Sequence, residues 1–259
     1  MIDVQNQPDN RGIPIQQTGV SGVCLPFLIE DGGKIQPVQA HVRFTVALDE
    51  NLRGTHMSRL IEILDDWREK PIAFRTLDAI LRAAIEKLST TAAYIRLDFK
   101  YFLERRAPVS GRTSLLDVDC TLVASLVDGR TAFQLGLSVP FTTLCPCSRE
   151  ISDCGAHNQR SVCSVLLSFG GAPTVTIDGL TKLIESQASS AIVPLLKRED
   201  EKYVTEAAYN NPKFVEDILR DVVIALRSIK GLKSFSIECE NCESIHNHNA
   251  FALHDEIVG

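Results

Sequence analysis

No stretch of this chain approaches the roughly 18 consecutive apolar residues that a membrane-spanning helix needs, so a helical membrane protein is excluded. The opening MIDVQNQPDN is polar and acidic. It lacks the charged start and apolar centre of a secretory leader, which leads us to expect a cytoplasmic protein. A basic surplus is also missing. Lys and Arg number 27 against 33 Asp and Glu, a net charge of -6. The clusters FKYFLERR and LLKRED each include acids. That balance argues against a nucleic-acid partner. It leaves an anionic small substrate open, because a few local cations can outweigh a distant average. Disulfide-like spacing is missing too. Of eight cysteines, Cys145 and Cys147 are separated only by Pro146, and a reducing compartment disfavours disulfides. Cys24, Cys120 and Cys163 sit in or beside apolar runs and read as core residues.

What the chain does have is apolar material. Hydrophobic residues make up 44% of 259, enough for one large core or two smaller ones. After a flexible polar tail over 1–15, the apolar VSGVCLPFLI ends at the turn signal Glu30-Asp31-Gly32-Gly33. VQAHVRFTVALD alternates and reads as a strand. Residues 56–68 and 74–90 carry helical spacing through Leu60, Ile63 and Leu64, then Leu77, Ile80, Leu81 and Ile85. Strands follow at about 91–104 and 112–126.

The second half repeats this order. Asp128-Gly129 marks a hairpin turn into a strand at 129–143, and 161–169 reads as another. Asp178 is a candidate cap for a short helix. Asn211 and Pro212 are candidates for the cap and first position of a longer one. Leu232–Glu240 and His248–Leu253 supply the last strands. We therefore expect an α+β fold of two similar modules, 16–128 and 129–259, the second carrying most of the site. Helices would lie over one face of each antiparallel sheet. Exposed sheet edges would favour assembly into a ring.

Chemistry concentrates in two segments. LCPCSREISDCGAHNQR, residues 144–160, holds three of the eight cysteines and one of the six histidines. Thiolate and imidazole are good ligands for zinc or another borderline divalent ion. Cys147 reads as ligand or nucleophile, or as an incidental thiol. His157 reads as ligand, or as a packing residue. Cys145, two residues from Cys147, would share its face on a strand and competes for the ligand role. The second segment, ECENCESIHNHNA at 238–250, sets three acids beside His246 and His248. A histidine there suits proton transfer near neutral pH. Glu243 reads either as a working carboxylate or as a solvated acid. Between these segments, residues 195–206 read as a solvated charge run. Glu216 lies off the apolar stripe of Val215, Leu219, Val222 and Leu226, so composition alone makes it a surface acid.

Taken together, LCPCSREIS, GAHNQRS, LLKREDEKYVTEAAYNNPKFVED, ESIHNHNA and the N-terminal DVQNQPDNRGIPI resemble the prokaryotic type IB GTP cyclohydrolases over essentially the whole chain. The resemblance implies the tunnelling fold, with two modules that each pair a four-stranded antiparallel sheet with two helices on one face. It implies a homotetramer with active sites at subunit interfaces. The implied reaction is metal-dependent hydrolysis of GTP at guanine C8, with ring opening, formate release, rearrangement and reclosure to 7,8-dihydroneopterin triphosphate. The lack of a GxxxxGK[ST] loop agrees with a triphosphate that is left intact. One divalent ion per site, Mn2+ or Zn2+, is implied. Cys147, His157 and Glu201 are the matching ligand positions, with His157 alternatively an acid/base partner beside the ion. His246 is the matching proton-transfer residue with Glu243 near it, and Glu216 the guanine anchor. Lys202, Arg149 and Arg160 are candidate phosphate contacts, with solvated surface charge as the alternative.

Two other readings compete. A related nitrile reductase would join a cysteine to a deazapurine and take hydride from NADPH. A noncatalytic assembly protein would bind zinc through Cys145, Cys147, Cys239 and Cys242, which would leave His157 and His246 unexplained.

Overall fold

The computed structural model describes residue 5 and residues 7–258. The chain runs through β1 (Ile15–Asp31), β2 (Lys34–Leu48), α1 (Met57–Asp66), the short β3 (Pro71–Ile72), α2 (Phe74–Leu88), β4 (Ala92–Arg106) and β5 (Thr113–Val127). It continues through β6 (Arg130–Leu144), α3 (Pro146–Ile151), β7 (Asn158–Phe169), α4 (Ile177–Glu185), the short β8 (Ser190–Ala191), α5 (Arg198–Asn210), α6 (Val215–Leu226), β9 (Leu232–Asn241) and β10 (Ala250–Ile257). Two compact units emerge. One comprises Met1–Lys100, Thr121–Leu135 and Ser168–Pro173, the other Tyr101–Cys120, Gly136–Leu167 and Thr174–Gly259.

In the first unit the strands run in the order β3-β1-β2-β4. β1 and β2 form a hairpin closed at Asp31 and Lys34, and β2 pairs antiparallel with β4. Alternation puts Ala40, Val42, Phe44 and Val46 of β2 and Ile95 and Leu97 of β4 in the core. Onto them fall Leu60, Ile63 and Leu64 of α1 and Leu77, Ile80, Leu81 and Ala84 of α2. Each buried Leu or Ile is worth about 1.5–3 kcal/mol. Gly19 sits between two register shifts of β1. A Cβ there would meet the Phe44 carbonyl oxygen at 2.2 Å and Thr45 Cα at 2.7 Å, so the hairpin closes only around glycine.

The tail expected to be flexible over 1–15 is tied down where it is described. Backbone bonds join Asp9 N to the Asn51 carbonyl (2.9 Å), and Arg53 N and Gly54 N to the Gln7 and Gln5 carbonyls (both 3.1 Å). Residues 1–4 and 6 of that expectation lie outside the described residues.

In the second unit, to which β5 gives Thr113–Cys120 and β6 gives Gly136–Leu144, the strand order is β5-β6-β7-β9-β10, with β8 on β6. Its core takes Leu137, Val139 and Phe141 from β6, Val165 and Leu167 from β7, and Ile218, Val222 and Leu226 from α6. Here the elements depart from expectation in three places, and one cysteine does so in the first unit. The run 195–206, read as solvated charge, instead lies from residue 198 onward in α5 (Arg198–Asn210), and Asp200 is fully buried. Asn211 is the C-cap of α5, and α6 begins later, behind Phe214, whose N–H donates to the Asp217 carboxylate at 3.0 Å. α4 is capped by the Thr176 hydroxyl, which accepts from Gly179 N at 3.0 Å, while Asp178 lies in the first turn. Cys24, expected in the core, is exposed on β1, whereas Cys120 and Cys163 are buried.

Arg105 is the main buried cation of this unit. Its guanidinium donates to Glu185 and Asp178, each at 3.0 Å. Burial pushes the Glu185 carboxyl up, and Arg105 only partly offsets it. Burial also works against ionised Asp178, but bonds from Lys182 and Arg105 outweigh it and hold that carboxyl low.

Candidate active site

The site residues belong to the second unit and are organised by the connection from β6 to β7. Leu144, at the end of β6, is fixed at both backbone groups. Its N–H donates to the Ser189 hydroxyl (3.2 Å) and its carbonyl accepts from Lys213 N (3.1 Å). Cys145 N donates to the His157 carbonyl at 3.1 Å, which closes the loop between the strands. Inside the loop Pro146 starts the short α3, for which its fixed φ is suited. Gly155 supplies a positive φ of 77°. The Ser148 hydroxyl accepts from His157 N at 3.1 Å, setting the backbone of that histidine.

Cys145 and Cys147 therefore do not share a strand face. Cys145 is the N-cap of α3, and its half-buried sulfur accepts from Ser148 N at 3.4 Å. Cys147 is the second residue of the helix and is exposed. The four-thiolate arrangement fails as well. Cys239 is buried on β9 against Cys163 of β7, whose thiol is pushed up by that neighbour and by burial. Cys242 is exposed.

The end of β9 meets the start of β7. Cys242 N donates to the Arg160 carbonyl at 2.9 Å, which brings Glu243 and Ser244 beside His157. Gln159, on β7, is 7% exposed. Its amide oxygen lies 3.0 Å from His157 Nδ1, and its amide nitrogen donates to Glu243 Oε1 at 3.4 Å. Ser244 Oγ is 3.4 Å from the same Nδ1, and Glu243 Oε2 is 3.9 Å from it. His246 and His248 lie in the turn between β9 and β10 rather than on a strand, with rings stacked 5.0 Å apart.

Other candidates stand apart. Glu201 is exposed on α5, and Glu216 is exposed in the first turn of α6. Lys202 is exposed and lies 3.8 Å from Glu206. Arg149 stacks over Tyr209 at 4.7 Å, a contact that uses the guanidinium face and leaves edge N–H groups for an anion. Arg160 is exposed. Among the described residues no group of three His, Cys, Asp or Glu side chains stands ready to hold a metal ion. The donor chemistry nevertheless suits one. An imidazole held at Nδ1 leaves Nε2 for coordination, and an exposed thiol and carboxylate lie on neighbouring elements of the unit.

Gln159, Ser148, Ser244 and Tyr209 were missed from the sequence. Gln159 was within reach, because it stands two residues from His157 and the strand period places both on one face.

The fold defines the class. Uricase from Arthrobacter globiformis aligns over 93% of each chain with a TM-score of 0.56 at 8% identity. A highly active mutant of Bacillus sp. TB-90 urate oxidase aligns over 94% of this chain and 100% of its own, with a TM-score of 0.54 at 10% identity. The molecule thus shares with these enzymes a mixed sheet with flanking helices. Sequence narrows this to one family. The model for "Type I GTP cyclohydrolase folE2" matches residues 1–252, and the chain belongs to that family. It is 46% identical over 253 residues to the GTP cyclohydrolase FolE2 of Geotalea uraniireducens, covering 97% of this chain and 92% of that one. It is 45% identical over 254 residues to that of Bordetella pertussis, covering 98% and 95%.

Proposed function

We propose that this chain hydrolyses GTP at guanine C8, opens the imidazole ring, releases formate, and rearranges and recloses the product to 7,8-dihydroneopterin triphosphate. The observation that carries this reading is the family match across residues 1–252. In our reading Cys147, His157 and Glu201 hold one divalent ion, Mn2+ or Zn2+, with Cys145 as an alternative thiolate. When bound, such an ion supplies Lewis acidity and makes hydroxide available near neutral pH.

The chain's own residues do the rest. His246 delivers a proton to the ring nitrogen as its bond to C8 breaks. Glu216 accepts from guanine N1–H and the 2-amino group and so orients the base. Adenine lacks that donor edge, and a mismatched polar site rejects such an analogue by several powers of ten. Arg149, Arg160 and Lys202 take the triphosphate.

We read the chain as two tunnelling-fold modules, 16–128 and 129–259, each with a four-stranded antiparallel sheet and two helices. The assembly is a homotetramer with active sites at subunit interfaces, in the cytoplasm. β10 supports this, as a strand at the end of the sheet order that exposes Phe251, Leu253 and Ile257 in alternation. Of membrane partners the structure says one thing: no described helix is long and apolar enough to cross a bilayer.

The deciding experiment is turnover of GTP by metal-depleted protein with manganese or zinc added back, following formate and the fluorescence of the oxidised pterin together. Equal yields of both, restored by metal, support the reading. No formate with either ion overturns it.

A further inference from the structure

The residue that controls His157 is Gln159. We infer that Gln159, held by Glu243, is a positioning residue that fixes His157 as the Nδ1–H tautomer and leaves the Nε2 lone pair to face a metal ion or a substrate proton. A carboxylate oxygen only accepts, so the amide group of Gln159 that faces Glu243 Oε1 at 3.4 Å is its NH2. The amide is planar, and its oxygen is thereby turned toward His157, 3.0 Å from Nδ1. Two bare acceptors do not sit at that distance without a proton between them. The proton is therefore on Nδ1. The lone pair then belongs to Nε2.

Of two further groups, the Glu243 carboxylate agrees because it only accepts, while the Ser244 hydroxyl fits either role. Ser244 Oγ at 3.4 Å and Glu243 Oε2 at 3.9 Å surround the same nitrogen with oxygen. Nε2 has no hydrogen-bond partner among the described residues. A free neutral imidazole in water favours the opposite tautomer, with the proton on Nε2. The relay reverses that preference, and burial strengthens its hold. The side chains of His157 and Glu243 are 13% and 14% exposed, and Gln159 is 7% exposed. Glu243 then acts through Gln159 and need not itself carry a proton to the substrate.

The use of Nε2 as a metal ligand rests on the reading of His157 given above; the tautomer does not. Solid-state nitrogen-15 spectra of the full-length protein labelled at histidine separate the two. Spectra at pH 8, before and after adding zinc alone, assign His157 by loss of its signals in His157→Asn. We expect a protonated Nδ1 and a bare Nε2 before zinc, with Nε2 shifting on zinc addition. Gln159→Leu should lose the Nδ1–H form and bind zinc about 10–100-fold more weakly, the usual cost of losing a group behind a ligand. Gln159→Glu keeps an acceptor against Nδ1 and should keep the tautomer.

A proton on Nε2 in the wild type overturns the inference, whatever Gln159→Leu does. An unchanged tautomer in Gln159→Leu also overturns it. A protonated Nδ1 with no response of His157 to zinc supports the relay and removes His157 from the metal site.

Discussion

The carboxylate of Asp200 accepts two hydrogen bonds from Ser110, one from its hydroxyl at 2.6 Å and one from its backbone N–H at 2.9 Å. It also accepts from Val109 N at 2.8 Å and Lys197 N at 2.9 Å. One buried acid therefore joins the start of α5 to the loop between β4 and β5. Burial opposes its charge, but these four bonds, the Ser110 hydroxyl foremost, hold the carboxyl well below the usual aspartate range.

Asp200→Asn should lower the melting temperature by several degrees, because an amide cannot accept four bonds at once. A depressed folded-state pKa gives stability that is present above the ordinary aspartate value of about 3.9 and fades as pH falls below it. The wild type should lose melting temperature faster than the variant through that acid range. Calorimetry from pH 6 downward is the check. Parallel curves for the two proteins would refute the role.

Arg105→Ala should destabilise the second unit by about 3–5 kcal/mol, the usual cost of leaving a buried ion without its partner. Glu185 is the group left behind, and its carboxyl, already pushed up by burial, should rise further. Replacing Arg105 and Glu185 together by Met and Leu should recover most of the loss. Urea unfolding of the single and double variants measures both.

Thiol reactivity should follow position. Cys24, Cys147, Cys154 and Cys242 are exposed, while Cys120, Cys163 and Cys239 are buried. Iodoacetamide with peptide mapping should modify members of the first group in the native protein. The second group should react only after unfolding, since burial hides these thiols in the native protein and at Cys163 also disfavours the thiolate.

Gly19→Ala should cost about 1–3 kcal/mol or more, since the new methyl meets backbone atoms that cannot rotate away. Gly19 lies in the first unit, so turnover per folded molecule should stay constant while the urea midpoint falls. Unchanged stability would mean that the hairpin shifts to admit a side chain.

The strands and the first two helices were legible because alternation and helical spacing report burial directly. β4 and β5 were placed to within about two residues of their observed ends. Helix starts in the second half were harder. Asn211-Pro212 carries a start signal, yet Asn211 ends α5 and its amide donates to the Ala188 carbonyl at 2.9 Å. Tertiary bonding took the residue that local preference had assigned. α5 was misread for a similar reason. Its run of charge hides one acid whose partners lie about ninety residues away, at Val109 and Ser110. In the site, residue types and segments were visible from composition. The orientation of His157 was not, because it depends on Glu243, which lies 84 residues from Gln159 in the chain.

That separation gives the site an order of construction. During synthesis from the N-terminus, His157 and Gln159 are made together, while the carboxylate that sets the amide comes near the end. A chain stopped before residue 243 would hold the histidine, all three thiols of the β6–β7 loop and Glu216, yet its imidazole would carry its proton as it does in water. Completion of the last strand pair is thus also the moment when the ring acquires its working direction.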